Sequence, residues 1–331
     1  MSERSNLITD VKGIRVGQAH DAGLASGVTA ILVDRPNMAS VVTRGGAPGQ
    51  REVTALEPEM TVEGVDAVVL SGGSAFGLDA AGGVMAVLRE QGIGFSVRSA
   101  VVPIVVQAIV FDLLNGGNKV WGRRTPYLEL GSSAAEAAGS GPFELGTAGG
   151  GFGATTCNFK GGVGSASATS VSGATVGAIA VVNAVGSAVV GDGPHFWAAP
   201  YECGAEFGGL GFPQQIDQRK LAVRIKGGAP PSTTIALVAT DATLTKPQAK
   251  RLAIMADDGL ARALRPAHAP MDGDTVFAVA TQHRSPVNPL ELAELGQVAS
   301  DCLARAIARG VYEATALPFA GALPAWKDRF R

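Results

Sequence analysis

Cysteine is scarce in this chain. Its 331 residues include Cys157, Cys203 and Cys302, odd in number and unclustered. That pattern excludes a disulfide framework and a thiolate zinc centre, and it reads as reduced thiols of a cytoplasmic protein. His20, His195, His268 and His283 are scattered, with no His-Glu-x-x-His pair, so a histidine-based triad has little to rest on. Charge is thin as well: 17% of residues are charged, the net charge is -2 and the pI is near 6.1. A nucleic-acid binder needs a basic field that this chain does not have. The longest apolar stretch, Val101 to Leu114, is interrupted by Pro103, Gln107 and Asp112 and falls short of a membrane span. Met1 to Asn6 has no apolar signal core, so export is not expected.

What is abundant points to burial. Mean hydropathy is +0.22, which suits a layered core and subunit contacts. Glycine numbers 45 without a collagen-like period. No internal repeat or low-complexity linker divides the chain, which reads as one domain over residues 1–331.

Weak alternation predicts an early strand at Leu7–Val16; apolar runs predict strands at Val28–Val33, with Ser40–Thr43 beside it, at Val65–Leu70 and at Val176–Val182, with a shorter one at Leu221–Ile225. Ser71-Gly72-Gly73-Ser74 joins a strand to a small-residue helix running to about Glu90. Such a turn lets the backbone donors of Gly73 and Ser74 converge at a helix N-terminus, a candidate substrate-binding turn. Ser74 lacks the G-x-S-x-G frame of a nucleophile elbow. Helices are also expected over Ile104–Leu114 and Ser132–Gly139, and Gly191–Phe212 reads as a flexible surface loop. Thr245-Lys246-Pro247-Gln248 has capping-box spacing and predicts a helix to about Leu264. Asn288-Pro289-Leu290-Glu291 starts a last helix that Gly310 can close. Strands, then helices, then strands and helices again suit a layered α+β fold rather than a strict βαβ repeat.

The most informative stretch is Ala229-Pro230-Pro231-Ser232-Thr233-Thr234-Ile235. A turn-rich run, Lys226 to Pro231, meets three hydroxyl residues and then the apolar run Ile235 to Ala239. Thr is also a good strand and turn residue, and a free hydroxyl is a poor nucleophile without a base. Backbone scission before Thr233 supplies that base as the residue's own α-amine, whose ordinary pKa of about 7.7–8.0 suits proton transfer.

Other candidates carry two readings each. Arg44 to Glu52, glycine-rich with two arginines, is a surface turn or a loop whose backbone closely approaches a substrate. Lys160, the only charge in Gly146–Ser167, is a solvated loop lysine or a site lysine. Asn183, ending a buried strand, turns the chain or offers its amide to an oxyanion. Asp272 and Asp274 flank Gly273 as a plain turn, or as carboxylates that orient the Thr233 amine.

Taken in order, Arg44-Gly45-Gly46-Ala47-Pro48-Gly49, Ser71-Gly72-Gly73-Ser74-Ala75-Phe76-Gly77-Leu78, Phe159-Lys160-Gly161-Gly162-Val163-Gly164, Asn183, Ser232-Thr233-Thr234 and Asp272-Gly273-Asp274 form a specific set. It resembles the self-cleaving N-terminal-nucleophile hydrolases that include the D-aminopeptidase/L-aminopeptidase D-esterases, the β-peptidyl aminopeptidases and the nylon-oligomer hydrolases. The resemblance implies a four-layer αββα sandwich, cut between Ser232 and Thr233 into an α chain (1–232) and a β chain (233–331). It implies oligomers of such units and a small amide or short peptide as substrate; no cofactor is expected, and a metal on Asp272 and Asp274 is not expected because no clustered His or Cys accompanies them. Thr233 is then the nucleophile and its amine the base. Asp272 and Asp274 are acidic partners, Asn183 an oxyanion donor, and Lys160 a site residue. Thr with Asp-Gly-Asp is closest to the nylon-oligomer hydrolase branch. Two positions depart from the pattern. Phe111 stands where relatives place a tyrosine donor, and Ser232 where they carry Asn or Gly. The alternatives are an acyltransferase like the self-cleaved ornithine acetyltransferases, or an uncleaved, non-enzymatic relative.

Overall fold

The computed structural model describes residues 4–216, 218–227 and 231–331. Residues Gly228, Ala229 and Pro230 of the turn-rich run before Thr233 lie outside them.

Strands β1 (Ile14–Asp21), β2 (Ser26–Val33), β3 (Met38–Thr43), β4 (Gln50–Arg51) and β5 (Ala67–Ser71) precede helix α1 (Ala80–Glu90). A small hairpin follows, β6 (Phe95–Val97) and β7 (Ala100–Val102), then β8 (Val105–Ile109) and α2 (Tyr127–Glu136). The rest comprises β9 (Gly162–Thr169), β10 (Thr175–Asn183), β11 (Thr233–Thr240), α3 (Lys246–Ala263), β12 (Thr275–Ala280), α4 (Pro289–Tyr312) and α5 (Trp326–Phe330).

The strands build two five-stranded sheets, in the orders β1-β2-β5-β8-β4 and β3-β12-β11-β10-β9. Alternation of side chains along each strand explains how they stack. In β11, Ile235, Leu237 and Ala239 face the other sheet, where they meet Val68, Leu70 and Val106. Ala236 and Val238 point the opposite way, toward Leu252 and Leu260 of α3 and Leu303 and Ile307 of α4. The outer face of the first sheet (Val28, Ala30, Val69) is covered by Val84 and Leu88 of α1 and by Ala134 of α2. The order is therefore helices, sheet, sheet, helices: an α+β, four-layer αββα sandwich. Both sheets are covered on both faces, so their strands read as unbroken apolar runs.

The two long C-terminal helices begin as their caps dictate. Thr245 Oγ1 accepts from Gln248 N, and Asn288 Oδ1 accepts from Leu290 N and Glu291 N at 2.9 and 3.0 Å. Several local expectations need correction. Ile104–Leu114 is not helical. Val105–Ile109 is a fully buried strand pairing in parallel with β5, and the sheet's need for a central strand overrides an ambiguous apolar run. The early strand begins only at Ile14, after a 3-10 turn over Ile8–Asp10. Leu221–Ile225 forms no strand. Gly191–Phe212 is irregular, yet it is no loose loop: Phe196 and Phe207 are buried and pack edge to face, and Phe196 also contacts Trp326.

Candidate active site

Thr233 is the first residue of β11 and Asn183 the last of the antiparallel β10, and the two are register partners. Both share the parity of the residues that face the other sheet, so their side chains enter the open end of the gap between sheets. Thr233 is buried at 3% exposure. Its Oγ1–H donates to the Ser232 carbonyl oxygen, so the hydroxyl lies against the carbonyl it would attack. The same oxygen accepts the Gly273 N–H at 2.9 Å. Two donors thus polarise the peptide carbonyl preceding Thr233.

Gly273 is there because nothing larger fits. A Cβ on it would lie 2.8 Å from Thr233 Oγ1 and 2.8 Å from the Ala47 carbonyl oxygen. The glycine-rich loop after β3 serves the same turn. Ala47 N donates to Asp272 O at 2.7 Å and Arg44 N to Asp274 O at 3.0 Å, while a Cβ on Gly45 would sit 2.3 Å from Asp274 N. The close backbone approach expected of this loop is made to the aspartate turn.

Both aspartates are buried. Asp272 Oδ1 accepts from Val185 N at 3.3 Å and Oδ2 from Ala269 N at 3.1 Å. Burial, then the charge of Asp274, pushes its pKa up to about 6. Asp274 Oδ1 accepts the Thr234 N–H at 2.8 Å, and its Oδ2 accepts both the backbone N–H and Nδ1 of His268, at 2.9 and 3.0 Å. The turn therefore grips the head of β11 from one side, and Asn183 faces it from the other.

Asn183 has a determined orientation. Its Oδ1 accepts from Thr155 N at 3.0 Å and from Lys226 Nζ at 3.1 Å, so its Nδ2 must be the group that donates to the Phe111 carbonyl at 3.0 Å. Lys226 also donates to Asn183 O at 3.1 Å. The side chain is half-buried at the cavity wall, and desolvation lowers its pKa to about 7, against the pull of Asp272. Lys160 is no solvated loop lysine. It is 1% exposed and donates to the carbonyls of Gly151, Ala154 and Gly161 at 3.0, 2.8 and 2.8 Å, and burial lowers it to about 7.

A cavity of about 490 Å³ opens beside these groups, lined by Phe111, Leu114, Leu317 and Leu323 with Lys160 and Lys226 at its polar side. Phe111 meets Asn183 through its carbonyl, so its missing hydroxyl does not remove that contact. Gly73 and Ser74 do not line this cavity. Gly73 N donates to Asp112 Oδ1 at 2.8 Å and Ser74 N to Val110 O at 3.0 Å, one layer behind Phe111. The sequence alone does not single out Lys226, which sits in a turn-rich run, or His268, one of whose carboxylate partners, Asp257, lies on a separate helix.

The model for peptidase family S58 matches residues 6–322. The chain belongs to that family. Two relatives bear this out: the proteins called uncharacterized aminopeptidase in Mycobacterium tuberculosis and Mycobacterium bovis are each 44% identical over 98% of both chains. A 6-aminohexanoate-oligomer endohydrolase of Kocuria sp. is 28% identical over 84% of this chain and 76% of its own. Among solved structures, the Burkholderia sp. beta-aminopeptidase superposes with a TM-score of 0.69 at 22% identity, covering 98% of this chain and 91% of that one. The L-aminopeptidase D-Ala-esterase/amidase of Ochrobactrum anthropi gives 0.69 at 23%, covering 97% and 90%, and carries the same sandwich. As a member of a peptidase family with aminopeptidase-named relatives at 44% identity, it is a hydrolase of amide or peptide bonds. Among the described residues, no helix is long and apolar enough to cross a membrane.

Proposed function

We propose that the chain cuts itself between Ser232 and Thr233 and then works as an aminopeptidase on short peptides and small amides. The observation that carries this reading is the doubly hydrogen-bonded Ser232 carbonyl, with Thr233 Oγ1 and Gly273 N–H on one oxygen. In self-cleavage, Thr233 Oγ1 adds to the Ser232 carbonyl carbon, and the negative charge on oxygen develops against the Gly273 N–H. The hydroxyl proton passes to the Thr233 amide nitrogen, the C–N bond breaks, and an ester to Oγ1 remains. Water hydrolyses the ester, leaving a Ser232 carboxylate and a free Thr233 amine.

In turnover the amine takes the Oγ1 proton as the oxygen attacks the substrate carbonyl. Asn183 Nδ2 stabilises the oxyanion, and the proton is handed to the departing amine. Water then releases the acyl group. Asp272 and Asp274 hold the amine and the strand head. Lys160 knits the glycine-rich wall of the cavity, whose size suits a small substrate. The names of the mycobacterial relatives favour aminopeptidase action, and the nylon-oligomer relatives extend the same chemistry to linear ω-amino acid amides. The exposed apolar residues Phe95 and Val97 of the β6–β7 hairpin support assembly into homo-oligomers. Unpaired cysteines support a cytoplasmic location.

Intact-mass measurement tests the reading. Wild type should give fragments of residues 1–232 and 233–331, Thr233→Ala the uncut chain, and only the wild type should hydrolyse aminoacyl p-nitroanilides. Identical mass patterns for the two proteins would remove it.

A further inference from the structure

Beyond Thr233 and its two aspartates, a second row of charged side chains runs outward from the site. Asp274 Oδ2 accepts from the backbone N–H and from Nδ1 of His268 at 2.9 and 3.0 Å. The other ring nitrogen, Nε2, lies 3.3 Å from Asp257 Oδ2, on the inner face of α3. Arg44 Nε, at the exit of β3, lies 3.7 Å from the same Asp257 oxygen. Asp257 is only 4% exposed, and its Oδ1 has no hydrogen-bond partner among the described residues. A buried carboxylate so placed is costly unless a cation faces it. His268 also holds a left-handed backbone conformation, φ 57°, which non-glycine residues adopt rarely. That conformation lets one residue bring two N–H groups to a single carboxylate oxygen.

We infer that Asp257 and His268 form with Asp274 a carboxylate–imidazole–carboxylate relay in which His268 is a positioning residue for Asp274 and, through it, for the head of β11. This rests on the reading of Thr233 as nucleophile. With its Oδ2 fixed by His268, Asp274 has Oδ1 left to hold the Thr234 N–H at 2.8 Å, and that bond sets the backbone on which Thr233 Oγ1 meets the Ser232 carbonyl. Burial alone would discharge the imidazole. Hydrogen bonds and charge from Asp257 and Asp274 outweigh it and raise the pKa to about 10, so His268 is an imidazolium at neutral pH. The charged groups around it are Asp257 of α3, Asp274 and Asp272 of its own loop, and Arg44 after β3. The relay also divides the labour of the two aspartates. Asp274 accepts from the His268 ring and from Thr234 N, while Asp272 accepts from the backbone N–H groups of Val185 and Ala269 and, with its pKa pushed up to about 6, can exchange a proton near that pH.

The test uses full-length protein purified before processing is complete, and it follows self-cleavage on denaturing gels from pH 5 to 9, so no substrate need be identified. His268→Asn keeps a residue tolerant of the left-handed backbone and removes the ring. It should slow cleavage by up to about 100-fold, as expected when a reacting group is misplaced by about 1 Å, and should move the acid limb of the profile. Asp257→Asn leaves the ring in place. It should slow cleavage by a smaller factor and lower the imidazole pKa, read by NMR, by about one unit or more. Folded variants that both cleave at the wild-type rate with an unchanged pH profile would overturn the relay. If His268→Asn does not fold, Asp257→Asn decides alone: wild-type cleavage with an unmoved imidazole titration refutes the inference. Thr233→Ala, run alongside, separates the two claims. If it is still cut, the nucleophile is wrong and the relay falls with it. If it is uncut while both relay variants behave as wild type, only the relay is wrong.

Discussion

Asn183 and Thr233 face each other directly across β10 and β11, the last residue of one strand against the first of the other. Sheet geometry places opposed side chains of an antiparallel pair about 4.5–5.5 Å apart at Cβ, close enough to act on one small group between them. The pairing is fixed by eight consecutive register partners, from Val176↔Thr240 to Asn183↔Thr233. A one-residue slip would turn both side chains out of the gap.

Asn183→Asp keeps an acceptor for Thr155 N and Lys226 Nζ but loses the donor that faces Phe111 O. Loss of one oxyanion donor costs about 10²–10³ in kcat, and the variant should show that loss together with a lower melting temperature, since a buried carboxylate oxygen then faces the Phe111 carbonyl. Steady-state kinetics and a thermal melt on the same sample check it. A kcat within twofold of wild type would remove Asn183 from the oxyanion site.

Gly273→Ala should slow self-cleavage strongly. The added methyl must share space with Thr233 Oγ1 and the Ala47 carbonyl, each 2.8 Å away. Overpacking of this kind costs about 1–3 kcal/mol of stability. A gel time course and a urea titration measure the two effects separately, and a normal cleavage rate would show that the turn has slack.

Asp272 should set an acid limb of activity. Its pKa is pushed up to about 6 from an ordinary 3.8. The folded state therefore binds this proton more tightly than the unfolded chain. Its contribution to stability is complete below the ordinary value and is lost as pH rises through about 6. Activity runs the other way, since only the carboxylate can hold a protonated amine. The kcat/KM profile should fall as pH drops through about 6, and Asp272→Asn should flatten that limb at a low plateau.

Lys226→Met separates stability from function. Burial lowers the lysine from 10.5 to about 7, so between these values the unfolded chain holds a proton that the folded one does not. The wild type thus gains stability as pH rises across this window, and the penalty is greatest at and below its lower edge. The methionine variant should melt higher than wild type at pH 6.5, with the gain shrinking toward pH 10. It should also lose kcat, because one of the two donors that fix the Asn183 Oδ1 is gone. Equal melting curves at low pH would show that the lysine is solvated.

The layers were legible in the sequence because burial on both faces leaves dense apolar runs such as Ile235–Ala239 and Val176–Val182. Caps at Thr245 and Asn288 were legible for the same local reason: the signal and the structure lie within four residues. Ile104–Leu114 was misread because a short apolar run carries no period that separates a strand from a helix, and parallel pairing with β5 decided it from a distance. Thr233, Asp272 and Asp274 stand out by motif, and the fold sets the aspartate turn against the head of β11, where Thr233 lies. His268 could not stand out, since its role depends on Asp257, on a helix whose placement only the fold reveals. Lys226 was hidden likewise, its partner Asn183 lying 43 positions away.

The strand order has one further consequence. β11 and β12 are neighbours inside their sheet, with β3 on one flank and β10 on the other. A piece beginning at Thr233 would therefore be clasped by strands of the preceding piece on both sides, while its helices α3 and α4 roof the same sheet. Scission there ends covalent continuity without opening a seam. The halves could part only by tearing the sheet along two ladders at once, so the pair should purify, melt and refold as a single body.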